Sequence, residues 1–240
     1  MIISDKYKYL FIEFPQTGCS AVGRELMEQY EGQRILFKHA QLHEFMKSAT
    51  KEQRQYFIFS TIRNPMDVVV SKYFKYLSDH ENYAEKKVKH GRLRRLIMPK
   101  YEEGRRDFIL NNKASFEDFF LKYYTLPYSA WSILSHHKLQ FLMRFENLGE
   151  DFNEAVSRIG AVPKRALPLY NQTGQKIKHF SEYYESTDAR VRAVEIFGPY
   201  MKEWGYEFPS HWMEASTVKP SEGMYRLVNT FRKLYWKILR

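Results

Sequence analysis

The chain has 240 residues, 44% of them hydrophobic and 28% charged, with a formal charge of +10. That length and apolar content suit one globular domain with a full core and exclude a disordered chain. The single cysteine, Cys19, excludes an intramolecular disulfide framework and Cys-cluster zinc, while the basic balance favours an anionic partner: nucleic acid, glycan, nucleotide or membrane surface.

The N-terminal stretch MIISDKYKYLFIEF has no basic n-region, no long apolar core and no small-residue cleavage site. It reads as the start of a folded chain running into a strand, not as a signal peptide. No run approaches 18 apolar residues, so no membrane span is expected and the cytoplasm is the expected compartment. Residues 9–14, YLFIEF, are short and aromatic-rich and end at Pro15, which predicts a buried strand. The turn PQTGCS follows, and residues 20–30 show helical spacing with Val22, Leu26 and Tyr30 on one face. RILFKHA, residues 34–40, reads as a second strand and YFIFSTI, residues 56–62, as a third. MDVVVSKYFKYL then predicts a helix with Pro65 at its first position, against the β preference of three consecutive valines. Residues 86–106 are basic and poor in large apolar side chains, which suggests an exposed, irregular insertion or lid.

Further on, residues 116–124 predict a short amphipathic helix, residues 139–148 a strand, and GEDFNEAVSRIGA the helix after it. Residues 188–204 predict a long helix stopped by Gly205. Strands alternating with helices imply an α/β fold with an open parallel sheet. The last 20 residues form a basic amphipathic helix candidate, with Tyr225, Leu227, Val228, Phe231, Leu234, Tyr235 and Ile238 as its apolar set. Packing on the domain is its simpler use, and peripheral contact with a membrane through residues 221–240 the other.

Two loops carry chemistry. Strand–PQTGCS–helix would aim free N–H groups of a helix start at an anion, with Thr17 and Ser20 as hydroxyl donors and Gly18 allowing close approach. The loop is not of the G-x-x-x-x-G-K-[ST] type, because no lysine is present and Gln16 stands where one would be sought. The second element, RNPMDVVVS, places Arg63 at a strand end and Ser71 eight residues later on the following helix. An arginine offers a planar, always charged fork to a phosphate, and a serine adds one hydroxyl.

In this order the two elements resemble the sulfotransferases that use 3′-phosphoadenosine 5′-phosphosulfate (PAPS). In that family a loop of type P-K-[TA]-G-[TCS]-[ST] holds the 5′-phosphosulfate, and R-[ND]-P-x-[DE]-x-x-x-S holds the 3′-phosphate through its Arg and Ser. LQFLMRFENLGEDF resembles the family's late strand and helix, and residues 169–208 resemble the closing segment of its carbohydrate branch. The resemblance covers about residues 8–209, leaving 83–124 unmatched.

It implies a three-layer, P-loop-like sulfotransferase domain over residues 1–215 with an insertion at about 83–124, followed by the helix of 216–240. It also implies PAPS as co-substrate, 3′,5′-ADP as product, no metal, and a hydroxyl acceptor of the carbohydrate class. Carried over residue by residue, it implies a nucleotide site of Gln16, Thr17, Gly18, Cys19, Ser20, Ala21, Arg63 and Ser71, with Lys176 and Lys178 from the closing segment. Gln16 replaces the lysine that steadies the leaving oxygen, and Lys38, Lys176 and Lys178 are candidate substitutes for its charge. The expected base toward the acceptor is His39, at the end of the second strand, with His43 or Glu44 in reserve. His39 and His43 also stand four apart, a metal-ligand spacing without a visible third ligand. The competing functions are a non-catalytic binder of nucleotide or anionic glycan, and a nucleotide kinase. No nucleic-acid-binding module is recognised.

Overall fold

The computed structural model describes residues 1–78, 92–130, 134–168 and 176–239, with side chains described over 1–78, 102–130, 134–168 and 176–235. Two compact units divide the chain: Met1–Asn64 with Ala130–Gln172, and Pro65–Ser129 with Thr173–Arg240.

The first unit is built on a five-stranded sheet in the order β3-β1-β2-β4-β5. Its strands are β1 (Ile2–Ser4), β2 (Tyr9–Ile12), β3 (Gln33–Arg34), β4 (Phe57–Ile62) and β5 (Phe141–Arg144). β2, β4 and β5 run parallel, while β1 is antiparallel to both β2 and β3. The α/β class therefore holds with a mixed sheet whose centre is parallel. The antiparallel edge comes from the first residues of the chain, where Ile2 pairs with Phe11 and Ser4 with Tyr9.

Alternation along β2 explains the layering. Tyr9 and Phe11 join one apolar cluster with Val22 and Leu26 of α1 (Cys19–Gln29) and Phe152 and Val156 of α6 (Leu148–Arg158). Leu10 and Ile12 point the other way and cluster with Leu42 and Phe45 of α2 (Leu42–Ser48). Successive side chains of a strand face opposite sides, so four residues of β2 serve both faces. Parallel pairing also sets the C-terminal ends of β2, β4 and β5 along one edge of the sheet, which is where open α/β sheets bind ligands.

The second strand of the sequence reading is corrected. Only Gln33–Arg34 is extended, and residues 35–40 leave the sheet, because Leu36 (φ 52°) and His39 (φ 67°) take left-handed backbone that no ladder accommodates.

The second unit is helical: α3 (Pro65–Leu77), α4 (Arg92–Asn111), α5 (Phe116–Tyr123), α7 (Thr187–Trp204), α8 (Glu214–Thr217) and α9 (Glu222–Leu239). Its core joins Met66, Val69 and Val70 of α3 to Phe119 and Phe120 of α5 and Ile196 and Phe197 of α7. The irregular structure expected for residues 86–106 is corrected where they are described. Residues 92–111 form a helix despite Pro99 and Gly104, its C-terminal half anchored by buried Ile109 and by Arg105 stacked on Tyr123 (4.9 Å). Residues 79–91 and 169–175, the latter including the Asn171–Thr173 pattern of the closing segment, lie outside the described residues. Among the described residues no helix is long and apolar enough to cross a membrane.

Candidate active site

In the first unit the loop between β2 and α1 is shaped by two left-handed residues, Gln16 (φ 66°) and Gly18 (φ 80°). Gly18 is the N-cap of α1, which has no side-chain cap and no acidic residue in its first turn. The Gly18 carbonyl accepts the N–H of Ala21 at 3.0 Å, so the donors left without an intrahelical acceptor are those of Gly18, Cys19 and Ser20. With the helix dipole behind them, these suit an anion. Glycine suits position 18 by its left-handed φ, and a Cβ there would also have to displace Leu148 Cδ2 (2.6 Å) and crowd the Phe145 ring (3.1 Å).

The hydroxyl of Thr17 is spent inside the fold. It donates to the Phe14 carbonyl at 2.8 Å, and Thr61 at the end of β4 lies 2.5 Å away and donates to it. Thr17 thus ties the loop to the neighbouring strand end, which leaves its N–H as its contribution to an anion. Cys19 is buried, and burial pushes its thiol up to about 11, so its side chain belongs to the core. The Ser20 hydroxyl accepts a hydrogen bond from Lys38 Nζ at 3.0 Å.

Arg63 leaves the end of β4 beside this loop. Its guanidinium donates to the Gln16 carbonyl at 3.1 Å and lies 3.9 Å over the ring of Phe145. The next residue, Asn64, gives its N–H to Glu146 at 2.7 Å. Phe145 and Glu146 stand just past β5, so the third parallel strand supplies both the platform under Arg63 and the carboxylate that fixes its turn.

His39 is half-buried, with Nδ1 2.9 Å from the Glu13 carbonyl. A carbonyl only accepts, so Nδ1 carries the proton and Nε2 of the neutral ring keeps its lone pair. Burial lowers the His39 pKa from its ordinary value, only partly offset by that hydrogen bond, and neighbouring Lys38 lowers it further. The ring is neutral at pH 7, the state a general base needs.

A family model described as a sulfotransferase domain matches residues 5–195. The chain belongs to the sulfotransferase family. No curated protein and no solved structure matches it.

The remaining candidate residues of this sulfotransferase separate by unit. In the first, His43 is exposed on α2, whereas Glu44 accepts the Gln41 N–H at 2.7 Å as a capping group. His39 precedes α2, so the pair at 39 and 43 does not share a helical turn. In the second unit, Ser71 is buried on α3. Lys176 pairs with Asp67 in the first turn of α3, and Lys178 with Glu185 at 3.5 Å, so a carboxylate already meets each of these cations. Sequence reasoning gave Phe145 and Glu146 no role. The signal was present in the F-E-N-L stretch, but only the strand order shows what it serves.

Proposed function

We propose that this sulfotransferase moves a sulfuryl group from PAPS to a hydroxyl, with a carbohydrate as the acceptor class. The observation that carries the reading is the uncapped start of α1 at Gly18, with Arg63 hydrogen-bonded to the loop that forms it. The residues present fit such a donor: a helix start without a carboxylate, a glycine where a side chain would clash, and an arginine seated on Phe145. The loop would hold the 5′-phosphosulfate through backbone N–H groups and Ser20. Arg63 and Ser71 would serve the 3′-phosphate, the roles that the family resemblance implies for them.

PAPS supplies the sulfuryl group and leaves as 3′,5′-ADP. The acceptor oxygen forms the new S–O bond, its proton goes to Nε2 of His39, and the old bond from sulfur to the bridging oxygen breaks. His39 suits this because its Nδ1 is anchored on Glu13, which fixes both ring and tautomer. The second reading, a binder without turnover, rests on Gln16, an amide where the family carries a charge. The reading also includes a peripheral contact with an anionic membrane through α9. Met224, Leu227, Phe231, Leu234 and Tyr235 are each 46–63% exposed along it, and Arg226 and Lys233 are exposed as well.

Thermal-shift titration with 3′,5′-ADP and with ATP tests the nucleotide. Stabilisation by 3′,5′-ADP that is lost in Arg63→Ala supports the reading. Stabilisation by ATP alone would favour a kinase.

A further inference from the structure

We propose that Lys38 supplies the cation that the phosphate-binding loop lacks at Gln16. The inference rests on the reading of that loop as the seat of the 5′-phosphosulfate.

Three lysines could compensate for Gln16, and the structure separates them. Lys176 and Lys178 are each paired with a carboxylate of the second unit. Lys38 makes no ion pair among the described residues, and its ammonium lies 3.0 Å from the hydroxyl of Ser20, in the first turn of α1. That is the end of α1 where the unpaired N–H groups of Gly18, Cys19 and Ser20 collect. Lys38 also precedes His39 directly in the chain, so one short segment brings this ammonium to the loop and the imidazole to the Glu13 carbonyl.

The backbone explains how a residue outside the loop arrives there. An extended strand through residue 40 would keep the chain in the sheet. Instead Leu36 and His39, on either side of Lys38, both take left-handed backbone, at φ 52° and 67°. Neither is a glycine, and such strain persists where the surrounding structure enforces it and function uses it. The same excursion delivers Lys38 to Ser20 and His39 to the Glu13 carbonyl.

The chemistry asks for a cation at this point. When the bond from sulfur to the bridging oxygen breaks, its electron pair stays on that oxygen, which becomes part of the 5′-phosphate of 3′,5′-ADP. A charged donor at the helix start follows that growing charge better than a neutral amide does. No proton need pass to Lys38. Because the product retains the charge in full, its binding reports the contact without turnover.

The test is calorimetric titration of the whole chain with 3′,5′-ADP and with adenosine 3′-monophosphate, which lacks the 5′-phosphate. Lys38→Ala is expected to weaken 3′,5′-ADP by roughly tenfold or more and to leave adenosine 3′-monophosphate within about twofold. Gln16→Lys added to Lys38→Ala is expected to restore most of the loss, because it returns a cation to the same helix start from the loop side. Unchanged 3′,5′-ADP affinity in Lys38→Ala overturns the proposal, as does an equal loss for both ligands. A double variant of unchanged melting temperature that recovers nothing also counts against it. Failure of the wild-type chain to bind 3′,5′-ADP would remove the reading of the loop and this inference with it, whereas binding indifferent to Lys38 removes the inference alone.

Discussion

Gly18 meets two demands at once, a left-handed backbone and room beside Leu148 and Phe145. Gly18→Ala is expected to lower stability by about 1–3 kcal/mol, read as a drop in melting temperature. The added methyl also presses on Phe145, the platform of Arg63, so nucleotide affinity should fall with it. Arg63→Ala removes a charged fork and is expected to cost roughly 1.5–3 kcal/mol of 3′,5′-ADP affinity by calorimetry, with a smaller loss for Ser71→Ala. His39→Ala is expected to lower turnover ~10²–10⁴-fold while nearly preserving nucleotide affinity. A general base works in its neutral form and the His39 pKa is lowered from the ordinary 6.5, so with His39 in that role the acid limb of the turnover profile should fall below pH 6.5. A limb at or above that value would move the base elsewhere. His136 tests burial independently of catalysis. Buried against Phe14, with ring centroids 4.4 Å apart and planes tilted by 45°, it is driven by burial down to about 3. The unfolded chain therefore binds a proton that the folded chain refuses, and the stability contributed by neutral His136 is full above pH 6.5 and is lost as pH falls toward 3. Melting temperatures of wild type and His136→Gln across pH 7 to 5 should show the steeper decline in wild type.

At the scale of elements, β2, β4, α1 and α3 could be read from the sequence because their signals are local. The pattern YLFI, the N1 proline of α3 and the stop at Gly205 each act within a few residues. The valine triplet of α3 stays helical because Val69 and Val70 are buried in the second unit's core. Tertiary packing there outweighs a weak local preference. The same balance overturns the irregular reading of residues 86–106, where many cations and few large apolar side chains suggested an exposed segment, yet burial of Ile109 and Arg105 holds the helix Arg92–Asn111. Residues 35–40 mislead in another way: ILFKHA has strand composition, but left-handed Leu36 and His39 take it out of the sheet, and Lys38 and His39 meet the distant partners Ser20 and Glu13. α9 carries its own prediction. Tyr225 is buried, while the apolar stripe from Met224 to Tyr235 stays exposed opposite Arg226 and Lys233. Sedimentation with vesicles containing anionic lipid is expected to pull down the full chain and to weaken as salt rises. Removal of residues 221–240 should abolish it. Binding only to itself, seen as a concentration-dependent dimer, would assign the stripe to a second copy instead.

At the scale of the whole molecule, the family match spans residues 5–195 and so takes in both motif-bearing loops, one between β2 and α1 and one between β4 and α3, and part of α7. The contiguous parts of the candidate site, residues 16–20 and Arg63, were readable because each lies within one strand–loop–helix step. The parts that depend on strand order were not. Phe145 under Arg63 and Glu146 on Asn64 each join residues 82 positions apart, while Lys38, one of three lysines the sequence offered, is singled out only by its contact with Ser20. The proposed function stands or falls with the loop at Gly18 serving sulfuryl transfer although Gln16 brings it no charge. The most direct measurement is transfer of labelled sulfate from PAPS to a panel of glycan acceptors, with 3′,5′-ADP release followed in parallel. Label is expected on a hydroxyl acceptor, with one 3′,5′-ADP formed per sulfate moved and both lowered ~10²–10⁴-fold in His39→Ala. Tight 3′,5′-ADP binding with no transfer to any acceptor would contradict the proposed function and leave a nucleotide-binding protein on a sulfotransferase fold.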